Sequence, residues 1–324
     1  MSKAFLTFFS LSGINILMST TFKEEIAMFI DIHTHCYRVR PPFIPFCTPA
    51  ELIRRYDKMK VEVAVILPIV NPEIYLPQSN DEVIEICQTY PDRFVPYCNV
   101  DPRCMTNTSH AKLEKILQWY KDLGCKGVGE VMPTMDLDDP RMLNLFRAAQ
   151  EVGLPVVYDG SAQRHGDFGV YDDPGLPMLE RMLMSFPKIN IFGHGPVFWA
   201  ELGRLDTPGC RTAYMHPWGG QVENLPRGPI YEEGTVPKLF RKYPNLMGDL
   251  SDFTACLAIS RDPEYGPRFL SEFEDRLYFG TDLTSEKMPV ELDSLLISWK
   301  EQGKISQTTF KKIARDNAAK LLGL

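Results

Sequence analysis

Short apolar runs recur along the chain at a nearly constant spacing. Many of them have no polar face, which is typical of buried parallel strands. Taking differences of their first residue numbers, successive runs start 29 to 35 residues apart, with one interval of 56. One strand and its crossover helix need about 30 residues. The runs are Phe29–His35, Val61–Val70, Phe94–Asp101, Cys125–Val131, Leu154–Asp159, Ile189–His194, Asn245–Ser251 and Leu277–Asp282.

Helical patterns lie between these runs. Each has apolar residues at three- and four-residue spacing, which places them on one face of a helix. Eight alternating strand and helix units predict an α/β protein of the (β/α)8, or TIM-barrel, class. The clearest predicted helices are Pro49–Met59, Gln78–Tyr90, His110–Leu123, Pro140–Val152 and Pro177–Phe186.

The one long interval lies after the sixth predicted strand. The residues between His194 and Asn245 are rich in Gly, Pro, Trp and Tyr and show no strand–helix period. A long irregular segment within a compact domain is usually functional, and this one follows a strand end where barrel active sites are built. We expect a lid or a pocket wall; a surface insertion used for subunit contact is the alternative.

Composition limits the class of protein. The 324 residues, 44% of them hydrophobic, are enough for a large core, and the net charge of -7 argues against a sequence-blind nucleic-acid binder. The eight cysteines form no Cys-x-x-Cys pair, so we interpret them as reduced thiols of a cytoplasmic protein. The expected partner is a small-molecule substrate, without nucleic acid or membrane; a homo-oligomer remains open.

The first 27 residues are interpreted separately. Their apolar segment, Ala4 to Met18, is too short and too polar to span a membrane, and a weak signal peptide is the alternative. Because the first strand pattern starts directly after Met28, we expect residues 1–27 to be an upstream extension. The barrel domain then covers residues 28–324.

Two histidines follow the first predicted strand in the segment Phe-Ile-Asp-Ile-His33-Thr-His35. Residues two apart in a strand point to the same face. His33 and His35 can therefore hold one metal ion with two imidazole nitrogens.

Other strand ends also carry metal-ligating residue types: Glu130, Asp159, His194 and Asp282. A barrel brings all strand ends of one side to the same rim. Imidazole and carboxylate suit zinc, and also manganese or iron. A divalent ion lowers the pKa of its bound water to about 7, and a neighbouring group must then take the proton. Asp282 and His194 are the candidates for that catalytic role.

Four motifs resemble the amidohydrolase superfamily: Met-Phe-Ile-Asp-Ile-His-Thr-His at 28–35, Tyr-Pro-Asp-Arg-Phe at 90–94, Gly-His-Gly at 193–195, and Arg-Leu-Tyr-Phe-Gly-Thr-Asp at 276–282. The branch they resemble includes aminocarboxymuconate-semialdehyde decarboxylase. The resemblance covers roughly residues 28–324. It implies a distorted (β/α)8 barrel with a metal at the rim.

The resemblance also implies roles for individual residues. In that branch the strand-one pair, a strand-five His and the strand-eight Asp bind the metal, and the strand-six His works on the bound water. Carried over, His33, His35 and Asp282 are ligands, and His194 is catalytic or a ligand of a second ion.

This chain departs from the pattern at strand five, which ends in Asp159 where the family has His. Either Asp159 replaces that ligand or the site has one protein ligand fewer; His165 is a further candidate. Glu130 after Gly resembles the deoxyribonuclease-like branch, in which that Glu helps to hold two metals. One zinc ion is expected, and two ions or none remain open.

The substrate-binding candidates are weaker. Tyr158 precedes Asp159, and Arg164 could clamp a substrate carboxylate by a bidentate contact, as could Arg211. His216 in the long interval is expected to be structural.

The reaction remains open because a fold does not fix a function. The first hypothesis is a metal-dependent hydrolase of a small amide, ester or lactone. The second is a metal-dependent decarboxylase or hydratase of a small unsaturated acid. The third is a degenerate barrel that binds a ligand without turnover.

Overall fold

A computed structural model describes residues 29–74, 76–164, 169–215 and 221–324. Residues 1–27, His165 and His216 lie outside the described residues, so the expectations about them are not tested. A strand overlaps every predicted run. The strands are β1 Phe29–Thr34, β2 Val61–Ile66, β3 Phe94–Pro96, β4 Val128–Val131, β5 Val156–Ser161, β6 Val170–Tyr171, β7 Ile191–His194, β8 Thr212–Met215, β9 Gln221–Asn224, β10 Leu246–Asp249 and β11 Leu277–Tyr278.

The five helices predicted from spacing are all present. Two have the predicted bounds, and the other three are one to four residues shorter. The helices are α1 Pro49–Met59, α2 Asn80–Thr89, α3 Leu113–Asp122, α4 Pro140–Val152, α5 Pro177–Ser185, α6 Gly195–Ala200, α7 Thr235–Lys242, α8 Asp252–Ser260, α9 Tyr265–Glu272, α10 Leu292–Glu301, α11 Gln307–Lys311 and α12 Asn317–Leu322, with a π-helical turn at Lys312–Asp316. None of the helices in the described residues is long and apolar enough to cross a membrane.

Eight parallel strands form the barrel in two arcs. One arc has the order β1-β2-β3 and the other β4-β5-β7-β10-β11. Isolated bridges join the arcs: Cys98 pairs with Val128, and Thr34 pairs with Leu283. At the second seam the Asp282 amide also donates to the His33 carbonyl at 2.8 Å. The distorted (β/α)8 barrel is therefore confirmed, and the irregularity lies at its two seams.

Alternating strand residues fill two separate cores. Inside the barrel, residues such as Ile30, Val157 and Phe192 form one cluster, and α12 contributes Ala318 and Leu322 to it. The larger cluster lies between the strands and the surrounding helices. The interior is thus a packed core, closed at one end by the last helix, and the polar strand ends are left to form the opposite rim.

The described residues of the long interval after β7 form several short elements. These are α6, an antiparallel hairpin of β8 and β9, and α7. The expectation of an irregular segment was wrong, because sequence spacing alone did not reveal the short hairpin. Ala213 of β8 lines the pocket at the rim, together with Gly195 and Pro196 of α6.

Candidate active site

Side chains from four different strand ends meet at the carboxyl-terminal rim. The Nε2 atoms of His33 and His35 lie 3.2 Å apart. Nε2 of His35 lies 3.3 Å from Oε2 of Glu130 and 3.3 Å from Oδ1 of Asp282. Nε2 of His194 lies 3.5 Å from Oε1 of Glu130. The structure therefore brings these five sequence-predicted residues into one cluster.

Irregularities in two strands help to direct these side chains inward. The step from Asp31 to Thr34 on β1 covers three residues, but the paired step on β2 covers two, so β1 has one extra residue there. In the same way, β4 has one extra residue relative to β5 between Val128 and Val131. An extra residue of this kind re-aims the side chains beyond it. Ile32 belongs to the interior core, yet the adjacent His33 also faces the interior cluster of polar groups. Glu130 on β4 is brought into the same cluster.

Each imidazole is held through its other nitrogen. Nδ1 of His35 lies 2.8 Å from the Leu67 carbonyl, which only accepts, so the ring proton is assigned to Nδ1. Nδ1 of His33 lies 2.6 Å from Oδ2 of Asp249. Nδ1 of His194 lies 3.0 Å from the Ser251 hydroxyl. Such partners are typical of metal-binding histidines, because they fix the ring and leave Nε2 for the ion.

The residues present fit a divalent metal ion. Ligand atoms lie within 4.8 Å of one another in two groups, one of His33, His35 and Asp282, the other of His33, Glu130 and His194. Oδ1 of the buried Asp159 has no hydrogen-bond partner, although buried polar atoms normally have one. Imidazole and carboxylate donors suit zinc, manganese or iron.

The charges of the buried carboxylates also favour binding of a cation. Burial would lower the pKa of His35, but the Asp282 and Glu130 carboxylates raise it to about 9. Burial would raise the pKa of Glu130, but the neighbouring histidines hold it below its usual range. The buried carboxylates thus attract protons to the imidazoles, and a metal ion binds such ligands by displacing protons.

Asp159 faces the site, as expected for the end of strand five. Burial raises its pKa well above the usual range, and the Glu130 charge adds to this effect. A Cβ on Gly195, whose φ is +80°, would lie 2.0 Å from Oδ1 of Asp159. Glycine is therefore needed where α6 begins, because the chain passes directly against this carboxylate.

Tyr158 and Arg164 do not line the pocket, and their placement corrects the expectation that they bind substrate. Tyr158 alternates with Asp159 and packs in the outer core. Arg164 is half-exposed and forms an ion pair with Asp136 at 2.8 Å. Arg211 is buried, with Nη2 donating to the Asp172 carbonyl. Structural contacts thus hold Tyr158 and Arg164, and Nη1 of Arg211 lies 3.7 Å from Oε1 of Glu201.

A buried network behind the metal-ligand candidates fixes the loop after β11. Oδ1 of Asp31 accepts from the backbone amides of His33, at 2.9 Å, and Thr281, at 3.0 Å. Oδ2 accepts from the Tyr56 and Thr281 hydroxyls, both at 2.5 Å. Burial raises the pKa of Asp31 to about 6. The network ties β1 to the loop that carries Asp282.

Sequence reasoning missed Asp249, Ser251 and Asp252. Asp249 and Ser251 hold the imidazoles of His33 and His194, and Asp252 lines the pocket. A signal was present in the sequence, because the seventh predicted run ends in Gly-Asp-Leu-Ser, which contains the polar residues Asp249 and Ser251. The first two lie behind the histidines rather than at the pocket surface.

A cavity of about 190 Å³ lies beside the cluster. Its polar end includes His35, Glu130, His194 and Asp282, and its remaining walls are mainly apolar. The cavity is large enough to hold part of a small molecule.

Solved structures with similar folds are found. An amidohydrolase from Burkholderia multivorans with bound zinc is 15% identical, with a TM-score of 0.59 over 92% of this chain and 100% of that one. A probable 2-pyrone-4,6-dicarboxylic acid hydrolase from Acinetobacter baumannii is 15% identical, with a TM-score of 0.57 over 91% and 99%. A 5-carboxyvanillate decarboxylase from Novosphingobium aromaticivorans with bound manganese is 16% identical, with a TM-score of 0.54 over 93% and 98%.

At these identities the structural likeness concerns the fold. No curated protein sequence matches the chain. A protein-family model described as amidohydrolase matches residues 30–324, nearly the whole described chain. The chain therefore belongs to the amidohydrolase family.

Proposed function

We propose that the protein is a metal-dependent hydrolase that acts on a small amide, ester or lactone. The observation that carries this proposal is the meeting of His33, His35, Glu130 and Asp282 beside His194, next to a small pocket. Active sites of (β/α)8 enzymes are built at this face of the barrel. The solved structures with similar folds include an amidohydrolase with bound zinc, a probable hydrolase, and a decarboxylase with bound manganese.

His33, His35 and Asp282 would hold the ion, which we propose to be zinc. Glu130 lies between this group and His194 and would be a further ligand; if a second ion binds, the group of His33, Glu130 and His194 would hold it. When bound, the metal would polarise the acyl oxygen and lower the pKa of water to about 7. The Asp249 and Leu67 contacts support this assignment, because they keep both Nε2 atoms directed at the cluster.

His194 is proposed to move the proton. Its Nδ1 is held by Ser251 at 3.0 Å and lies 3.5 Å from Oδ2 of Asp249, which fixes the ring. The residue lines the pocket, so Nε2 can accept a proton during attack and return it to the leaving group. Asp282 also lines the pocket, with 22% of its side chain exposed, and is the second candidate base.

A decarboxylase is the second candidate function. It is supported by the similar folds of a 5-carboxyvanillate decarboxylase and a 2,6-dihydroxybenzoate decarboxylase. His194 would then deliver a proton to carbon rather than to a leaving group.

Product analysis with metal-replete protein separates these functions. The panel contains neutral esters, lactones and amides, together with muconate-like and hydroxybenzoic acids. Release of an acid from the first set supports the hydrolase, and release of carbon dioxide from the second supports the lyase. Bound metal without turnover of either set would contradict both and favour a ligand-binding barrel.

A further inference from the structure

The pocket beside the candidate ligands is apolar on the sides away from them. Ile69, Ile74 and Met132 are buried and form a separate hydrophobic cluster. All three line the pocket, and they come from the segments after β2 and β4. A polar group placed against such a wall loses water without gaining a hydrogen bond. The other apolar lining residues are Phe46, Leu76, Pro196, Ala213 and Phe253.

No lysine or arginine lines this pocket among the residues that the structure describes. The internal residues left undescribed, 75, 165–168 and 216–220, contain no lysine or arginine in the sequence. Arg227 lines the adjoining cavity, but its guanidinium forms an ion pair with Glu223. Among the described residues, a carboxylate on the remote part of a substrate would find no free lysine or arginine side chain along these walls.

The titratable groups that line the pocket lie with the candidate ligands: His35, Glu130, Asp159, His194 and Asp282, with Asp252 beside them. A carboxylate held against the apolar wall would lose its water without gaining a paired charge, which is costly in a partly buried site. An uncharged, apolar group would bury surface against the wall without this cost.

We propose that the site selects substrates whose non-reacting part is uncharged and apolar, and excludes those that carry a carboxylate there. This inference rests on the proposed function, because it assumes that the reacting group meets the His33 and His35 end of the pocket. The expected substrate therefore differs from the dicarboxylic acid named for one of the similar structures, because its non-reacting part carries no carboxylate.

Binding of small hydroxamic acids to zinc-loaded protein tests the proposal without requiring turnover. Isothermal titration calorimetry would compare benzohydroxamic acid with its 4-methyl, 4-carbamoyl and 4-carboxy derivatives. The carbamoyl probe matches the carboxylate in size and lacks its charge. We expect the 4-methyl probe to bind at least as well as the parent compound. The 4-carboxy probe should bind at least about 10-fold more weakly than the carbamoyl probe, a difference of about 1.4 kcal/mol.

Substitution of one residue of the pocket wall tests whether a missing positive charge causes the weak binding of the 4-carboxy probe. Leu76 lines the pocket and is partly exposed, so it can accept a longer side chain. Leu76→Arg should bind the 4-carboxy probe at least about 10-fold more tightly than the natural chain does, because the arginine supplies the missing positive charge. Leu76→Gln adds a polar group without charge, so the 4-carboxy probe should still bind at least about 10-fold more weakly than the 4-carbamoyl probe.

The outcomes separate the two proposals. Equal or tighter binding of the 4-carboxy probe by the natural chain would overturn this inference and leave the proposed function standing. Equal losses for the carboxylate and the carbamoyl probe would also overturn it, because size would then be the cause. If no hydroxamate bound, the pocket would not be a metal-directed substrate site, and both proposals would fail.

Discussion

Nδ1 of His33 lies 2.6 Å from Oδ2 of Asp249, and both side chains are fully buried. The contact joins β1 to β10, which lie on either side of β11 in the barrel. Burial would raise the pKa of Asp249, but the charge of His33 holds it well below its usual range. An ionised Asp249 therefore accepts from Nδ1 and keeps Nε2 of His33 directed at the other ligand candidates.

Asp249→Asn should weaken metal binding while preserving the fold. The amide keeps the size of the carboxylate but removes the charge that orients His33 and increases its basicity. We expect a 10- to 100-fold loss of metal affinity, the range typical for such partners, measured by competition with a chromogenic chelator. Asp275→Asn, at an exposed surface position, is the matched control. Unchanged affinity in a folded Asp249→Asn variant would contradict the role given to this contact.

Asp282→Asn and His194→Asn test the proton transfer together with the number of ions. Each should lower turnover by about 10²- to 10⁴-fold, the contribution typical of a general acid or base. Asp282→Asn should also weaken metal binding. His194→Asn should keep most of the metal if one ion is bound and lose metal if two are bound.

Steady-state kinetics and metal analysis of the same preparations provide both readouts. Turnover near that of the natural chain in both variants would show that the chemistry lies elsewhere, and Glu130 and Asp159 would be examined next.

The strand period and the polar strand ends predicted much of this arrangement. The eight strand positions followed from the spacing, because one strand and its helix occupy a nearly fixed length. Convergence of His33, Glu130, His194 and Asp282 followed from the barrel, since its strands end at one rim.

Other features have no signal in sequence spacing. The irregular pairing that brings Ile32 and His33 to the same side of β1 appears only in the register against β2. The role of Asp249 depends on which strands lie close to β1 in the barrel. Tyr158 was misassigned because its face of β5 was not considered. Each of these depends on pairing between residues distant in the sequence.

Gly195→Ala tests the close approach between α6 and Asp159. The added Cβ would lie 2.0 Å from Oδ1 of Asp159, and the backbone φ of +80° is already unfavourable for alanine. Gly175→Ala is the matched control, because its φ is +90° and a Cβ there meets nothing within 4 Å. We expect the control to lose about 1 kcal/mol from left-handed strain alone.

The Gly195 variant should lose clearly more than the control, measured by urea unfolding, and should bind metal more weakly. Equal losses in the two variants would show that Asp159 moves aside without cost and that the contact is not restrictive.

Truncation to begin at Met28 should leave the fold and metal content intact. We propose that residues 1–27 are an extension outside the barrel domain, because β1 begins at the next residue, Phe29. Thermal unfolding and metal analysis of the full and shortened chains would be compared. A strongly destabilised or insoluble shortened chain would show that the extension is part of the barrel.

The metal content of the purified protein tests the central claim most directly. Elemental analysis of the natural chain should find close to one divalent ion per chain, with zinc the main metal. The His33→Ala/His35→Ala double variant should be folded and should lack the ion, because both imidazole ligands are removed. Full metal occupancy in the folded double variant would contradict the assignment of the site.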